Sequence, residues 1–227
     1  MRVARSALAE QPSLAAVLAE TERLALSVWT SATVIWVFLV FAYAAAELTL
    51  VWEVLGLAYF VLGLISLYLQ LFLTAAALSF ALPGYRFDRS NPTKGRLPSM
   101  FLLSVLWLFG VTGGLLLLII PGLILLARWN LSAPVLLAED STAARSLGRS
   151  WELTRRHWKV TTATLVIGLA PLVPAFAIDL QYPDDGPPTI AMALASNMLF
   201  ATASVLSWLL MCALYALITS PERKLTA

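Results

Sequence analysis

Six long apolar runs alternate with short polar stretches along the chain. Residues 24–46 and 54–82 contain no ionisable side chain. A third run covers 99–120, a shorter one 123–138, and two more cover 160–178 and 190–219. Crossing the hydrocarbon core takes about 20 predominantly apolar residues in a helix. In lipid, every backbone group must find its partner within the segment, so these runs predict helices. Barrel strands would alternate in units of about ten residues, and these runs do not alternate. The expected fold is all-α: a polytopic membrane helix bundle of six transmembrane helices forming one integral domain over 1–227. Pro121-Gly122 separates the third and fourth runs and predicts a tight turn near the outer interface. The fourth run is short, so a re-entrant or strongly tilted hairpin is the alternative there.

Charge placement fixes the expected orientation. Lys and Arg in short loops favour the cytoplasmic side. Arg2, Arg5 and Arg23 precede the first run. Arg86, Arg89, Lys94 and Arg96 lie between the second and third. Arg145, Arg149, Arg155, Arg156 and Lys159 lie between the fourth and fifth, and Arg223 and Lys224 follow the sixth. Six spans with both termini inside put all the basic residues on the cytoplasmic side except Arg128. The outer loops carry only Glu47, Glu53, Asp179, Asp184 and Asp185. Fusing the third and fourth runs would move Arg145 to Lys159 outside, against this rule. The polar lead and first run are too long for a cleaved signal peptide.

Two stretches read as amphipathic helices lying on the cytoplasmic face. Ser13 is placed to cap a helix in which Leu14, Val17, Leu18, Thr21 and Leu24 form a stripe. From Asp140 to Lys159, with Asp140 and Ser141 as caps, Ala144, Leu147, Trp151 and Trp158 share one face. Arg145, Arg149 and Arg156 share another. Basic residues opposite a Trp/Leu face describe a helix at headgroup level. Arg145, Arg149, Trp151, Arg155, Arg156 and Trp158 are therefore candidates for docking anionic headgroups or a protein partner. A plain positive-inside anchor is the simpler reading.

Composition narrows the function. Of 227 residues, 60% are hydrophobic and 12% charged, with a mean hydropathy of +0.83. So few charges cannot coat a soluble enzyme of this size. The single cysteine, Cys212, excludes an internal disulfide, and the single histidine, His157, leaves little for metal or acid–base chemistry. No nucleophile elbow, phosphate loop or zinc-protease motif is present, so no catalytic residue, metal or cofactor is expected. Nucleic acid is not an expected partner; anionic membrane lipids are.

Ionisable groups inside spans point to function by default. Arg128 lies six residues past Gly122, about 9 Å along a helix. Glu53 lies six residues past Glu47, so the two are expected to share a depth and to pair. Arg128, with Glu53 and Asn130, is the candidate ligand site, because a guanidinium fork suits phosphate. A structural salt bridge, or Arg128 reaching out to headgroups, is the competing reading. Gly168, Pro171 and Pro174 predict a kink in the fifth span, and Gly56, Gly63, Gly110, Gly113 and Gly114 predict close helix contacts.

Residues 121–159 carry an ordered pattern: Pro121-Gly122-Leu123-Ile124, Arg128-Trp129, Ala133-Pro134-Val135, Glu139, Ala144-Arg145-Ser146-Leu147, Arg149-Ser150-Trp151-Glu152-Leu153-Thr154-Arg155 and Trp158. This resembles the bacterial membrane domain attached to some glycerophosphodiester phosphodiesterases, and the small stand-alone YciC-like membrane proteins. Members often have Gly after the Thr-Arg pair, where this chain has Arg156-His157. In the fused proteins the hydrolase is a separate soluble barrel, for which this chain has no room. The resemblance therefore implies a bacterial inner-membrane module associated with lipids or their headgroup fragments, without hydrolase activity. The expectation is a non-enzymatic module that binds or helps move a lipid-related or anionic solute. The alternative is an accessory or scaffold whose basic helix docks a partner on the cytoplasmic face.

Overall fold

A computed structural model describes residues 12–49, 52–86, 96–182 and 188–226, without the side chains of 49, 52, 53, 55 and 220–226. Among the described residues there are ten helices and no strand: α1 (Leu14–Ser27), α2 (Trp29–Thr49), α3 (Trp52–Ala81), α4 (Leu97–Leu117), α5 (Ile119–Arg128), α6 (Ser132–Ala138), α7 (Ala143–Arg156), α8 (Trp158–Leu169), α9 (Leu172–Asp179) and α10 (Ile190–Thr226). Six segments are long and apolar enough to cross a membrane: Trp29–Leu48, Gly56–Ala81, Leu97–Leu117, Ile119–Ala138, Trp158–Asp179 and Ile190–Thr219. The fourth joins α5 to α6 and the fifth joins α8 to α9, so two of the six are broken helices.

The last span is the hub. Some 67% of its most apolar window is buried, against 22% to 39% for the other five. It packs on α1, α2, α3, α6, α8 and α9. Lipid tails are as apolar as leucine, so close packing and hydrogen bonds, rather than hydrophobicity alone, must select these contacts. The sequence of α10 meets that need with small buried residues, Ala193, Ala201, Ala203, Ala213 and Ala216, together with the larger buried Leu210, Leu214 and Tyr215. Trp36 on α2 donates its indole N–H to Thr202 Oγ1 at 3.0 Å.

Several local expectations hold and several are corrected. Ser13 caps α1, its Oγ accepting the Ala16 N–H at 3.1 Å. The buried stripe is Val17, Thr21, Leu24 and then Val28, whereas Leu18 is exposed. The first span begins at Trp29 rather than residue 24, because α1 breaks at Val28. The turn of the α4–α5 hairpin is not Pro121-Gly122. It is the single extended residue Leu118 (φ −161°, ψ 133°), and Pro121 sits in the first turn of α5. Proline is tolerated there because first-turn N–H groups have no helical partner in any case.

Glycine closes the hairpin: a Cβ on Gly114 would lie 2.9 Å from Gly122 Cα, and one on Gly110 would enter the Trp129 ring. Gly168 abuts Ser207 in the same way, but Gly56, Gly63 and Gly113 face open space and support no close contact. The fifth span breaks at Ala170-Pro171, as its prolines predict.

The hub helix also separates two polar ends. Asn197 donates to Glu47 Oε2 at 2.9 Å, and Tyr215 donates to Glu139 Oε1 at 3.1 Å. Asn197 and Tyr215 are 18 residues apart on one helix, about 27 Å at 1.5 Å per residue. That matches a hydrocarbon core of about 30 Å. The Glu47 end also holds Asp179, which accepts from Ser196. The Glu139 end holds Arg149 and the Arg96–Asp140 ion pair. These are the acidic and basic ends below.

Candidate functional site

The site grows from the break in the fourth span. The α5 helix stops at Arg128, a turn occupies 129–131, and α6 restarts at Ser132. A helix end leaves carbonyls and N–H groups unpaired, and in an apolar interior each must be answered. Ser150 of α7 answers two of them. Its hydroxyl donates to the Arg128 carbonyl at 2.7 Å and accepts from the Leu131 N–H at 3.1 Å. Thr154 Oγ1 also lies 3.1 Å from the Arg128 carbonyl, though its shortest partner is the Ser150 carbonyl at 2.8 Å. Ser132 Oγ completes the turn by donating to the Trp129 carbonyl at 2.7 Å.

The buried face of α7 is therefore a hydroxyl face: Ala143, Ser146, Leu147, Ser150, Leu153 and Thr154. Of the expected Ala144/Leu147/Trp151/Trp158 face, Leu147 is buried, whereas Ala144, Trp151 and Trp158 lie on the exposed surface. The expected cap is corrected. Thr142, not Asp140 or Ser141, accepts the Arg145 N–H at 3.4 Å. Asp140 adopts a left-handed φ of 52° and instead pairs with Arg96.

Sequence reasoning missed Ser150 and Thr154. Hydroxyls recurring every fourth position, Ser146, Ser150 and Thr154, were the available signal.

Arg128 itself lies against this helix. Its guanidinium carbon is 5.7 Å from the Trp151 ring centroid, a cation–π distance. Its Nη1 is buried with no hydrogen-bond partner among the described residues. It sits beside Trp158 and Thr154 at one end of an elongated groove of about 700 Å³ between α5 and α8. Beyond Arg128 the walls are apolar, with Ile124 and Leu123 facing Leu165 and Leu169. The groove thus carries one cationic head and a long aliphatic body.

This placement corrects the expected depth of Arg128. Trp158 begins the span that ends at Asp179 on the acidic side, so Arg128 beside Trp158 belongs to the basic half. Glu53 is in the first turn of α3, the helix whose Tyr59 bonds Glu47 at 2.7 Å on the acidic side. The side chain of Glu53 lies outside the described residues, as do Asp184 and Asp185. The common depth that motivated a Glu53–Arg128 pair is absent.

Asn130, two residues on, faces a different space. It lines a half-open cleft of about 470 Å³ bounded by α3, α4, α5, α6, α8, α9 and α10, with Gln70, Ser104, Trp129, Ser204 and Ser207. The two spaces share Leu126, Leu165 and Leu169 as a dividing wall. Arg128 and Asn130 are thus not brought together on one ligand.

The remaining basic candidates divide by environment. Arg149 is half-buried and lies 3.4 Å from Glu139 and 3.6 Å from Glu152, so it serves the fold at the basic end. Arg145, Arg155 and Arg156 are exposed. Lys159 Nζ stands 5.8 Å from the Trp158 ring, next to the mouth of the Arg128 groove.

At the acidic end Glu47 also accepts from Tyr182 at 3.3 Å. Burial, with Glu47 beside it, raises the Tyr182 phenol above its ordinary pKa and keeps it a donor. Glu47 is therefore answered by three donors.

No protein-family profile matches the chain, and neither does any curated protein or any solved structure.

Proposed function

We propose that this protein is a non-enzymatic module of a bacterial inner membrane that binds an anionic, lipid-related solute at Arg128. Its basic end and both termini face the cytoplasm, as the distribution of Lys and Arg supports. On that orientation, α1 and α7 lie at the inner headgroup level. One observation carries the functional reading. The Arg128 guanidinium, covered on one side by Trp151, keeps Nη1 buried and unanswered at the head of a long apolar groove. A guanidinium N–H shut away from water without a hydrogen-bond partner is costly, and a phosphate oxygen drawn to the half-exposed Arg128 would offset that cost. The groove between α5 and α8 would hold an acyl chain below it.

Native mass spectrometry of protein extracted with its own lipids tests this. Wild type should retain an anionic phospholipid at least several-fold over its share of the membrane. Arg128→Ala should lose that enrichment while remaining helical and monodisperse. Equal retention of all lipid classes by wild type, or an unchanged pattern in Arg128→Ala, would defeat the reading.

A second reading rests on the exposed Arg155, Arg156 and Trp158 at the α7–α8 junction: an accessory protein whose basic helix docks a partner. Arg155→Glu with Arg156→Glu should then abolish partner recovery in crosslinking while leaving lipid retention at Arg128 intact.

A further inference from the structure

The cleft on the Asn130 side differs from the Arg128 groove in a way that assigns it a separate role. Its wall follows the hub helix between the two polar ends. Ser204 on its wall is seven residues past Asn197 and eleven before Tyr215, about 10 Å and 16 Å from the two polar ends. No charged side chain lines it, yet its wall carries the carboxamides of Gln70 and Asn130 and the hydroxyls of Ser104 and Ser204. Neither carboxamide has a hydrogen-bond partner among the described residues. Ser207 Oγ is instead shut in against Gly168 and does not open to this space. Ser204 spends its proton on the Phe200 carbonyl at 2.9 Å, which leaves its lone pairs available.

Polar groups facing hydrocarbon are strongly disfavoured, so two open amides here need an occupant that hydrogen-bonds. At about 470 Å³ the space far exceeds the ~10–15 Å³ that admits one water. An ion would lack a counter-charge, because no ionised residue faces it.

We infer that this half-open cleft is hydrated and binds a small neutral solute carrying amide or hydroxyl groups, in exchange with its water. The inference does not depend on the lipid reading: its residues other than the shared wall are distinct, and its ligand is uncharged.

Cysteine accessibility in proteoliposomes tests it, in a Cys212→Ala background that removes the one natural thiol. A thiosulfonate reacts with a thiolate, which forms only where water reaches. Ser204→Cys should react with neutral 2-hydroxyethyl methanethiosulfonate at least tenfold faster than Phe109→Cys, whose position is highly exposed on the outside of α4. The cationic trimethylammonium reagent should be much slower at Ser204→Cys. Molar acetamide should slow labelling several-fold more than polyethylene glycol of equal osmolality.

Ser204→Cys reacting no faster than Phe109→Cys means a dry cleft and overturns the inference. Equal rates for the neutral and cationic reagents overturn its neutrality. Acetamide protecting no better than polyethylene glycol overturns the solute site. Asn130→Cys provides the same readings if Ser204→Cys does not fold.

Discussion

Replacing Ser150 with alanine is the sharpest probe of the broken fourth span. Ser150 is fully buried, and its hydroxyl is used twice, once to donate to the Arg128 carbonyl and once to accept from the Leu131 N–H. Removing it leaves the Leu131 N–H with no answer in an apolar interior. An unsatisfied buried group costs about 1–3 kcal/mol. Thr154 behaves differently. Its single proton lies closest to the Ser150 carbonyl, with the Arg128 carbonyl a longer second choice. Thr154→Val in the native background therefore removes little that Ser150 does not already supply, and should cost under about 1 kcal/mol.

In Ser150→Ala, however, Thr154 becomes the donor left for Arg128, so removing it there costs more. The double-mutant cycle should show a coupling of about 0.5–1.5 kcal/mol, the double variant being worse than the sum. Unfolding in mixed micelles, monitored by far-UV circular dichroism against added SDS, supplies the four free energies. A loss of about 2 kcal/mol for Ser150→Ala is a roughly 30-fold change in the unfolding constant. If Ser150→Ala is neutral and the cycle is additive, α7 does not answer the helix break, and the account of its hydroxyl face is wrong.

Two further predictions follow from the structure. Gly122→Ala would put a Cβ 2.5 Å from the Leu115 backbone nitrogen, so it should cost about 1–3 kcal/mol as overpacking. Gly113→Ala, with nothing within 4 Å, should be neutral or slightly stabilising in the same unfolding assay. The Tyr85 phenol is raised from 10.0 to about 12, chiefly by burial. Its contribution to stability is complete below pH 10 and falls away as pH rises toward 12, because the unfolded chain ionises first. Tyr85→Phe should flatten that part of the stability profile, and an unchanged slope between pH 10 and 12 would contradict it.

The helices were legible because length and unbroken apolarity carry that information locally. The helix breaks were less so. Pro171 announced its own, and Pro134, in the first turn of α6, has no N–H for the Asn130 carbonyl and so marks the restart after Arg128. What a one-dimensional pattern does not show is that Ser150 and Thr154, some 20 residues away, answer the backbone groups freed there. The same gap explains the reading of α7. Its tryptophans marked a stripe turned toward the membrane, but the partners of its buried face are backbone groups, which leave no mark in hydrophobic spacing. Arg128 was recognisable from the cost of a charge in a span. Its depth was misjudged because counting from Gly122 assumes a straight helix running to the next loop. Asn130 was grouped with Arg128 by proximity in sequence, whereas the turn between them sends the two side chains to opposite sides of α5.

The one-residue link at Leu118 has a consequence for biogenesis. It leaves no hydrophilic loop to be carried across the bilayer between α4 and α5. The segment after it would be a poor entrant alone, because an arginine inside an inserting helix costs up to about 2.5–3.5 kcal/mol on translocon scales. The strongly apolar α4 can offset that only if both segments leave the translocon together. The hairpin should therefore partition as a unit, with Gly114 and Gly122 already in contact before the rest of the chain is synthesised.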